Sequence, residues 1–529
     1  MAQTGTQGPD GGLAEKARPY AYLALAVLTA SSFLNYLDRQ IVSILAQSIK
    51  ADLALSDAQL GFLLGTAFAV FYAVVGIAMG RISDAVRRTR LMGLGLATWS
   101  AMTVLGSLAT SFGGLAVARI GVGVGESTAN PCSHSLLSQY FPARRRSTAI
   151  GSYLAGGLIG GAAALVLGGL VLQNWGQICQ ALPFDGACSL PSWKAVLILV
   201  GAPGLPLALL VAALREPERP PTEPRSLFKL IVDEFGAAVP PFTLLTLHGL
   251  GGARAWGRNL LLAAAIAAAA AVLIRLTGDL AQWAAIGLGA YSICTWGQVL
   301  KLRDRPLFRL TFGCPTFTLA MASGALLACV MASVQAWAAP YAMREMHMSP
   351  AVAGVSLGLI SALASASAVI SGGWIADSWK QRDPRAPIWV ALLGLIVASP
   401  ILVVMLTVKA PSQYLLAYAG FTLFSSGWSG AYAALVQDLV LPRMRGAAAS
   451  AFALVTVVVS SGGGPYLVGR VSTLTGSLAT GMLSIQALTP IAIIVLLLTA
   501  RRLKGESEAG RRARAEAVGE GAPIAFAAL

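Results

Sequence analysis

The sequence predicts an all-α integral membrane protein: two six-helix pseudo-symmetric halves plus an inserted two-helix hairpin, about fourteen transmembrane helices in all. Three observations lead there. Charged residues make up 12% of the chain, where soluble proteins carry about 25%, and hydrophobic residues make up 56%. Apolar runs long enough to span a bilayer recur along nearly the whole length. The cations between them fall in alternate loops, so a net charge of +15 reflects topology and not a nucleic-acid groove.

In chain order, residues 1–19 are polar and Gly-rich and read as a cytoplasmic tail. The first bundle, 20–214, holds spans near 20–49, 57–80, 90–111, 114–140, 147–173 and 192–214. The first run is too long for a secretory signal and has charges at its centre, so it stays as a span. Loops after the second and fourth spans carry Arg81, Arg87, Arg88, Arg90 and Arg144, Arg145, Arg146, whereas the intervening loops are poor in cations. Both ends of this half are therefore expected in the cytoplasm.

The central stretch, 215–308, begins rich in Pro and charge, and 227–235 alternates apolar and charged residues like a short surface helix. Two further runs, near 258–276 and 281–300, turn at Thr277, Gly278 and Asp279 and have Arg or Lys at both ends. They read as an inserted hairpin, at about 258–300, that leaves the downstream topology unchanged. The second bundle, 309–500, has spans near 309–338, 351–376, 386–408, 413–438, 446–470 and 477–500, and 501–529 reads as a disordered cytoplasmic tail.

Cys179 and Cys188 share one predicted outer loop, where an oxidising compartment permits a disulfide and where both can equally stay free. The remaining cysteines stand singly in or beside apolar runs and read as packing. No metal-ligand cluster is present, nor a phosphate-cradling loop or an activated nucleophile, so neither a metal, a cofactor nor an enzyme's catalytic residues are expected.

The halves look duplicated. Gly80 to Asp84 closes the second span of one, and Gly373 to Asp377 closes the matching span of the other. Pro142 before Arg144 is echoed by Pro442 before Arg443. These features resemble the major facilitator superfamily, across nearly everything but the tails and the hairpin. Gly80 to Arg90 is similar to that family's loop motif, departing from it at Ala85 and Arg87. Asn-Tyr-Leu-Asp-Arg-Gln at 35–40, with Gly-Val-Gly-Glu-Ser at 123–127, resembles the Spinster branch. That resemblance implies transport of lysolipid-like or sphingoid molecules by alternating access, with protons as the coupled partner in bacterial members. A multi-pass monomer of the bacterial inner membrane follows as the expectation, with membrane lipids as surroundings and no nucleic-acid partner.

Intramembrane charges are rare and mark substrate or proton paths. Asn35, Asp38 and Arg39 share one face of the first span, and Arg119, Glu126 and Asn130 share one face of the fourth. Asp38 and Glu126 both lie about a dozen residues from the outer side, roughly 16 to 18 Å deep at the helical rise. The expectation is that these two carboxylates exchange protons while Arg39 and Arg119 tune them, against the blander alternative of a permanently paired cluster.

Asn35, Tyr36, Ser127, Asn130, Tyr153, Trp428 and Tyr432 are the residues expected to line a substrate cavity, although the aromatics suit interface packing equally. Few cations lie there, which favours an amphipathic ligand over a sugar phosphate. Gly80, Asp84, Arg88, Gly373 and Asp377 are expected at a cytoplasmic gate, and Arg470 as a residue that snorkels to the outer surface. Glycines at 156, 157, 160, 161 and 462–464 read as close helix packing; those in the fifth span are similar to the superfamily's antiporter motif but lack its proline. A general drug or organic-anion carrier, and a non-transporting scaffold or receptor, are the competing function classes.

Overall fold

The computed structural model describes residues 19–520 except 182, 184–185, 218–230, 233, 237–238 and 240–241, with Asp84 and Ala143 described in backbone only. The expected N-terminal tail up to residue 18, most of the surface helix at 227–235, and the last nine residues lie outside that description.

Helices account for the described architecture. The first half comprises α1 (Pro19–Leu53), α2 (Asp57–Gly61, a π-helical turn Phe62–Thr66, then Ala67–Ala85), α3 (Arg88–Gly106), α4 (Phe112–Glu126 and Ala129–Tyr140), α5 (Ala143–Gln180) and α6 (Ser192–Gly201 and Gly204–Ala213). The hairpin is α7 (Phe242–Thr277, kinked at Gly252, where φ is +64°) and α8 (Leu280–Arg303). The second half comprises α9 (Pro315–Arg344), α10 (Pro350–Lys380), α11 (Ala386–Thr407), α12 (Pro411–Ser426 and Trp428–Asp438), α13 (Arg445–Thr475) and α14 (Leu478–Ser484 and Leu488–Leu503). These are the fourteen expected crossings, ten of them long and apolar enough to span a membrane by length and composition alone.

Local chemistry sets the boundaries. Ser56 opens α2 with a capping box in which its hydroxyl accepts from Gln59 N–H and the Gln59 side chain accepts from its own N–H. Proline at the first turn starts α9, α10 and α12, where its missing N–H has no helical partner to lose. Gly476, at φ +71°, ends α13 in the left-handed conformation that glycine adopts without a Cβ penalty.

Three expectations change. The seventh span begins at Pro315 and not 309, because Asp304 caps a separate short helix, Arg305–Leu310, that ends before Gly313. The fourth, sixth, tenth and twelfth spans are interrupted, at Ser127–Thr128, Ala202–Pro203, Gly427 and Ile485–Ala487. The C-terminal stretch is not wholly disordered: α15 (Glu508–Glu516) forms, held by an Arg514–Glu506 pair and, just beyond it, by an Arg443–Glu520 pair.

The apolar core divides in a way that positions the site. On the side that the loop charges make outer, one continuous core joins both halves, from Ile44 and Trp193 to Trp337, Tyr414 and Val468. On the inner side each half has a core of its own, around Leu28, Trp99 and Tyr153 in the first and around Phe317, Tyr432 and Leu496 in the second. Polar ties follow the same division. Asp57 accepts from Arg344 at 2.9 Å and Ser472 at 2.6 Å across the halves, and also pairs with Lys50. Ser43 donates to the Ala336 carbonyl at 2.8 Å, and Ala351 N–H donates to Gln173 at 3.1 Å. The halves thus share a core at one end and keep separate cores at the other, with a small cluster of Ala73, Leu454 and Val458 joining them between.

Candidate functional site

Asp38 and Arg39 lie near the middle of α1, and Arg119 and Glu126 on the first segment of α4. The fold brings all four together. Arg39 Nε donates to Glu126 Oε2 at 2.6 Å, and Arg119 Nη1 donates to the Asp38 backbone carbonyl at 3.2 Å. Glu126 is fully buried, Asp38 and Arg119 nearly so, while the Arg39 side chain keeps 23% of its surface exposed. Arg39 is thus the edge of the cluster that reaches open space.

The positioning is built from close backbone approach. Gly160 of α5 sits where a Cβ would lie 2.0 Å from the Phe33 carbonyl, and Gly157 where it would meet the Tyr36 ring at 2.7 Å. Small residues let α1 and α5 touch along their length and fix which face of α1 turns inward. On α4, Glu126 is the last residue before the helix breaks, so its carboxylate stands at a discontinuity. Interrupted helices of this kind recur at transporter binding sites.

Hydrogen bonding in the cluster is incomplete. Thr103 faces Asp38 and Asn35 faces Glu126 as donors, yet Asp38 Oδ1, Glu126 Oε1, Arg39 Nη2, Arg119 Nε, Asn35 Nδ2 and Thr103 Oγ1 all fall short of full hydrogen-bond geometry. Buried polar groups are normally paired, so loosely paired donors beside loosely paired acceptors mark a site able to rearrange.

Two aromatics complete the site and were not anticipated. The Arg39 guanidinium lies 4.8 Å from the centroid of Phe68 and 4.5 Å from that of Tyr72, both on α2, besides 5.2 Å from Tyr36. Asn130 donates to the Tyr72 hydroxyl at 3.0 Å and accepts from Tyr153 at 3.1 Å, which ties α2, α4 and α5 beneath the arginine. Phe68 and Tyr72 are four apart in a long apolar run, where rings read as core packing; only the charge opposite them distinguishes them.

The other expected residues divide. Asn35, Tyr36, Asn130 and Tyr153 belong to the cluster. Ser127 is buried and spends its hydroxyl locally on the Val124 carbonyl at 2.6 Å, at the helix break. Trp428 and Tyr432 form a separate buried group in the second half, edge to face at 5.6 Å, with Tyr432 against Ser323 and Phe452. Arg88, expected at the gate, is instead locked within the first half. It donates to Glu216, Ser135 and Gln139, each at 2.7 Å, and is almost wholly buried. Asp377 is exposed and makes no ion pair among the described residues, and nothing comes within 4 Å of a Cβ built on Gly80 or Gly373. Arg470 does more than snorkel: it lies 3.5 Å from Asp279 at the hairpin turn. Cys179 and Cys188 are bonded, with Cα atoms 5.1 Å apart, closing the outer loop between α5 and α6. No cluster of metal ligands occurs among the described residues.

Fold and site together define a multi-pass helical membrane protein whose first half holds a buried, charged, aromatic-walled cluster. The chain belongs to the Major Facilitator Superfamily, whose profile matches residues 28–465. It is 26% identical to an MFS-type efflux pump of Mycolicibacterium smegmatis over 85% of this chain and 84% of that protein. It is 24% identical to protein spinster homolog 1 of Xenopus tropicalis, over 84% of this chain and 72% of that one. Among solved structures it superposes on a bacterial homolog of the human lysosomal transporter Spinster in an inward-facing, unoccupied conformation, with a TM-score of 0.72, 23% identity and coverage of 93% of this chain and all of that one. The superfamily and the Spinster-like character expected from the sequence are both borne out.

Proposed function

We propose that this transporter is proton-coupled and moves an amphipathic, lipid-like molecule by alternating access, as a monomer in a bacterial inner membrane with both termini cytoplasmic. The half-satisfied cluster of α1 and α4 carries this reading. A buried polar group left without a partner costs about 1–3 kcal/mol, and more when it is charged. Here the Asp38 and Glu126 carboxylates have only loosely placed donors in Thr103 and Asn35, while Arg39 Nη2 and Arg119 Nε nearby lack acceptors. A proton on Glu126 cancels the charge that Arg39 now neutralises, and frees that guanidinium to swing toward the crevice on its exposed edge. A proton on Asp38 removes the charge facing Arg119 in the same way. Loading and unloading at these carboxylates therefore changes which contacts the cluster can make, which is what a coupled carrier needs.

The substrate class is supported by the aromatic wall of Tyr36, Phe68 and Tyr72, by the scarcity of uncommitted cations, and by the Spinster-like relatives. The test is uptake of a fluorescent lysophospholipid into proteoliposomes under an imposed pH gradient. Asp38→Asn and Glu126→Gln are each expected to reduce gradient-driven uptake by about 100-fold or more, the range typical of losing a proton-transferring group, while the proteins melt like wild type. Full proton-driven uptake by both variants rejects the assignment. Kinship over most of the chain with an efflux pump supports a second reading, a drug or organic-anion exporter of the same superfamily. Competition decides between them: lysolipids displace the bound probe under the first reading, and hydrophilic anions or drugs alone do so under the second.

A further inference from the structure

The hairpin lies in the seam between α2 of the first half and α13 of the second. At its outer turn Asp279 accepts from the Tyr466 hydroxyl of α13 at 2.6 Å and faces Arg470 at 3.5 Å, while Trp283 stacks edge to face on Tyr466 at 5.6 Å. At its inner end Asp304, which caps the next helix, accepts from Arg443 at 3.1 Å just before α13 begins. Both ends of α8 are therefore tied to the second half.

Its polar tie to the first half is different in kind. Gln282, 2% exposed, accepts through Oε1 from the Thr66 hydroxyl of α2 at 2.6 Å and donates through Nε2 to the Gly462 carbonyl of α13 at 3.0 Å. Thr66 also lies 2.6 Å from that carbonyl. A hydroxyl has one proton, so Thr66 serves Gln282 or Gly462, not both at once. Thr66 is the last residue of the π-helical turn of α2, a local widening that recurs at functional positions. Apolar contacts surround this junction: Val70 and Val458 close over Gly289, and Ile286 packs on Gly462.

We propose that the hairpin rides with the second half and uses Gln282 as a latch on Thr66, holding the outer side of the transporter closed until the halves rock apart. This rests on the alternating-access reading and not on proton coupling. Opening outward separates α2 from α13 and takes the Thr66 hydroxyl away from both of its acceptors, the Gln282 carbonyl and the Gly462 carbonyl. That penalty falls on the outward-open state only, so the latch biases the equilibrium inward.

The test places nitroxide labels at Thr110→Cys and Lys409→Cys, exposed positions in outer loops of the two halves, in full-length protein with the exposed Cys294 changed to Ser. Wild type is expected to give mainly the short outer distance. Thr66→Val is expected to raise the long-distance population by about fivefold or more, the factor that one unpaired buried group implies, Gln282→Leu, which leaves Thr66 the Gly462 carbonyl, to raise it by less, and the double variant by no more than Thr66→Val alone. Thr66→Ser, which keeps the hydroxyl, is expected to restore the wild-type distribution. Unchanged distances in both single variants, or effects that multiply in the double, overturn the latch. Should Gln282→Leu fail to fold, Thr66→Val and Thr66→Ser decide the matter between them. The readout needs no transport, so failure of the proton-coupling assignment leaves this result standing.

Discussion

Arg39 is held by one 2.6 Å bond to Glu126 and by three aromatic faces, and that combination specifies a guanidinium. A planar, delocalised cation packs against rings while its edge donates to a carboxylate; an ammonium carries the same charge but, as a compact and strongly hydrated point charge, fits that combination less well. Arg39→Lys is accordingly expected to lose pH-driven uptake by about tenfold, the size of a change of about 1.4 kcal/mol in the coupled step, despite keeping its charge. Flux assays beside a melting curve check this, and wild-type uptake by the lysine variant contradicts it. The charged half of the site was legible in the sequence because Asp38, Arg39, Arg119 and Glu126 stand where lipid is expected and helical spacing brings them to common faces. Phe68 and Tyr72 were not legible, since an aromatic in an apolar run has the same signature in a core as against a cation. Trp428 and Tyr432 form part of the second half's own core, the packing role that the sequence allows them equally.

Whole helices were read well where apolarity is continuous, and their interruptions were missed. The breaks at Ser127–Thr128 and Gly427 leave hydropathy unchanged, so nothing in composition announces them, yet they set the depth of Glu126 and divide α4 and α12 alike. The hairpin was visible from its cationic flanks, whereas its latch was not, because Thr66 and Gln282 are uncharged residues whose pairing spans 216 positions. Arg88 shows a limit of motif reasoning, since a cation in an inner loop can serve as a joint instead of a gate. Its partner Glu216 would have its acidity weakened by burial, but the Thr89 N–H and the Arg88 guanidinium outweigh that and hold its carboxyl below the usual range. A depressed carboxylate contributes stability that is present above its unfolded value, about 4.3, and disappears as pH falls through the folded value. Glu216→Gln is therefore expected to melt a few degrees lower at pH 7, as for loss of a charge-assisted hydrogen bond, with the gap beginning to narrow as pH falls below about 4.3, the unfolded carboxylate value, and closing only below the lower folded value. Parallel melting curves across that range, with a constant gap, contradict it.

Across the whole molecule, one outer core and two inner cores describe a body closed on one side, and close approach of the backbones follows the same division. A Cβ on Gly65 would meet the Ser461 carbonyl at 1.9 Å and one on Gly354 the Leu165 carbonyl at 2.2 Å, both across the outer seam, whereas Gly80 and Gly373 face open space within. If the inner ends come together in the other half of the cycle, Gly80→Val folds and melts as wild type yet slows net transport by about tenfold, a barrier increase of about 1.4 kcal/mol; unimpaired flux shows that α2 does not close there. The duplicated placement of Gly80 and Gly373 made that inner face visible in the sequence, and the state of the gate belongs to the three-dimensional packing alone. What joins these scales is the claim that Asp38 and Glu126 carry the transported proton. The most direct measurement is proton movement itself, read by a pH dye inside proteoliposomes while a lysophospholipid gradient drives the carrier without any imposed pH difference. Wild type is expected to acidify or alkalinise the lumen in step with lipid flux, and the Asp38→Asn, Glu126→Gln double variant to exchange lipid across the membrane with no proton signal; an undiminished proton signal from that variant contradicts the account.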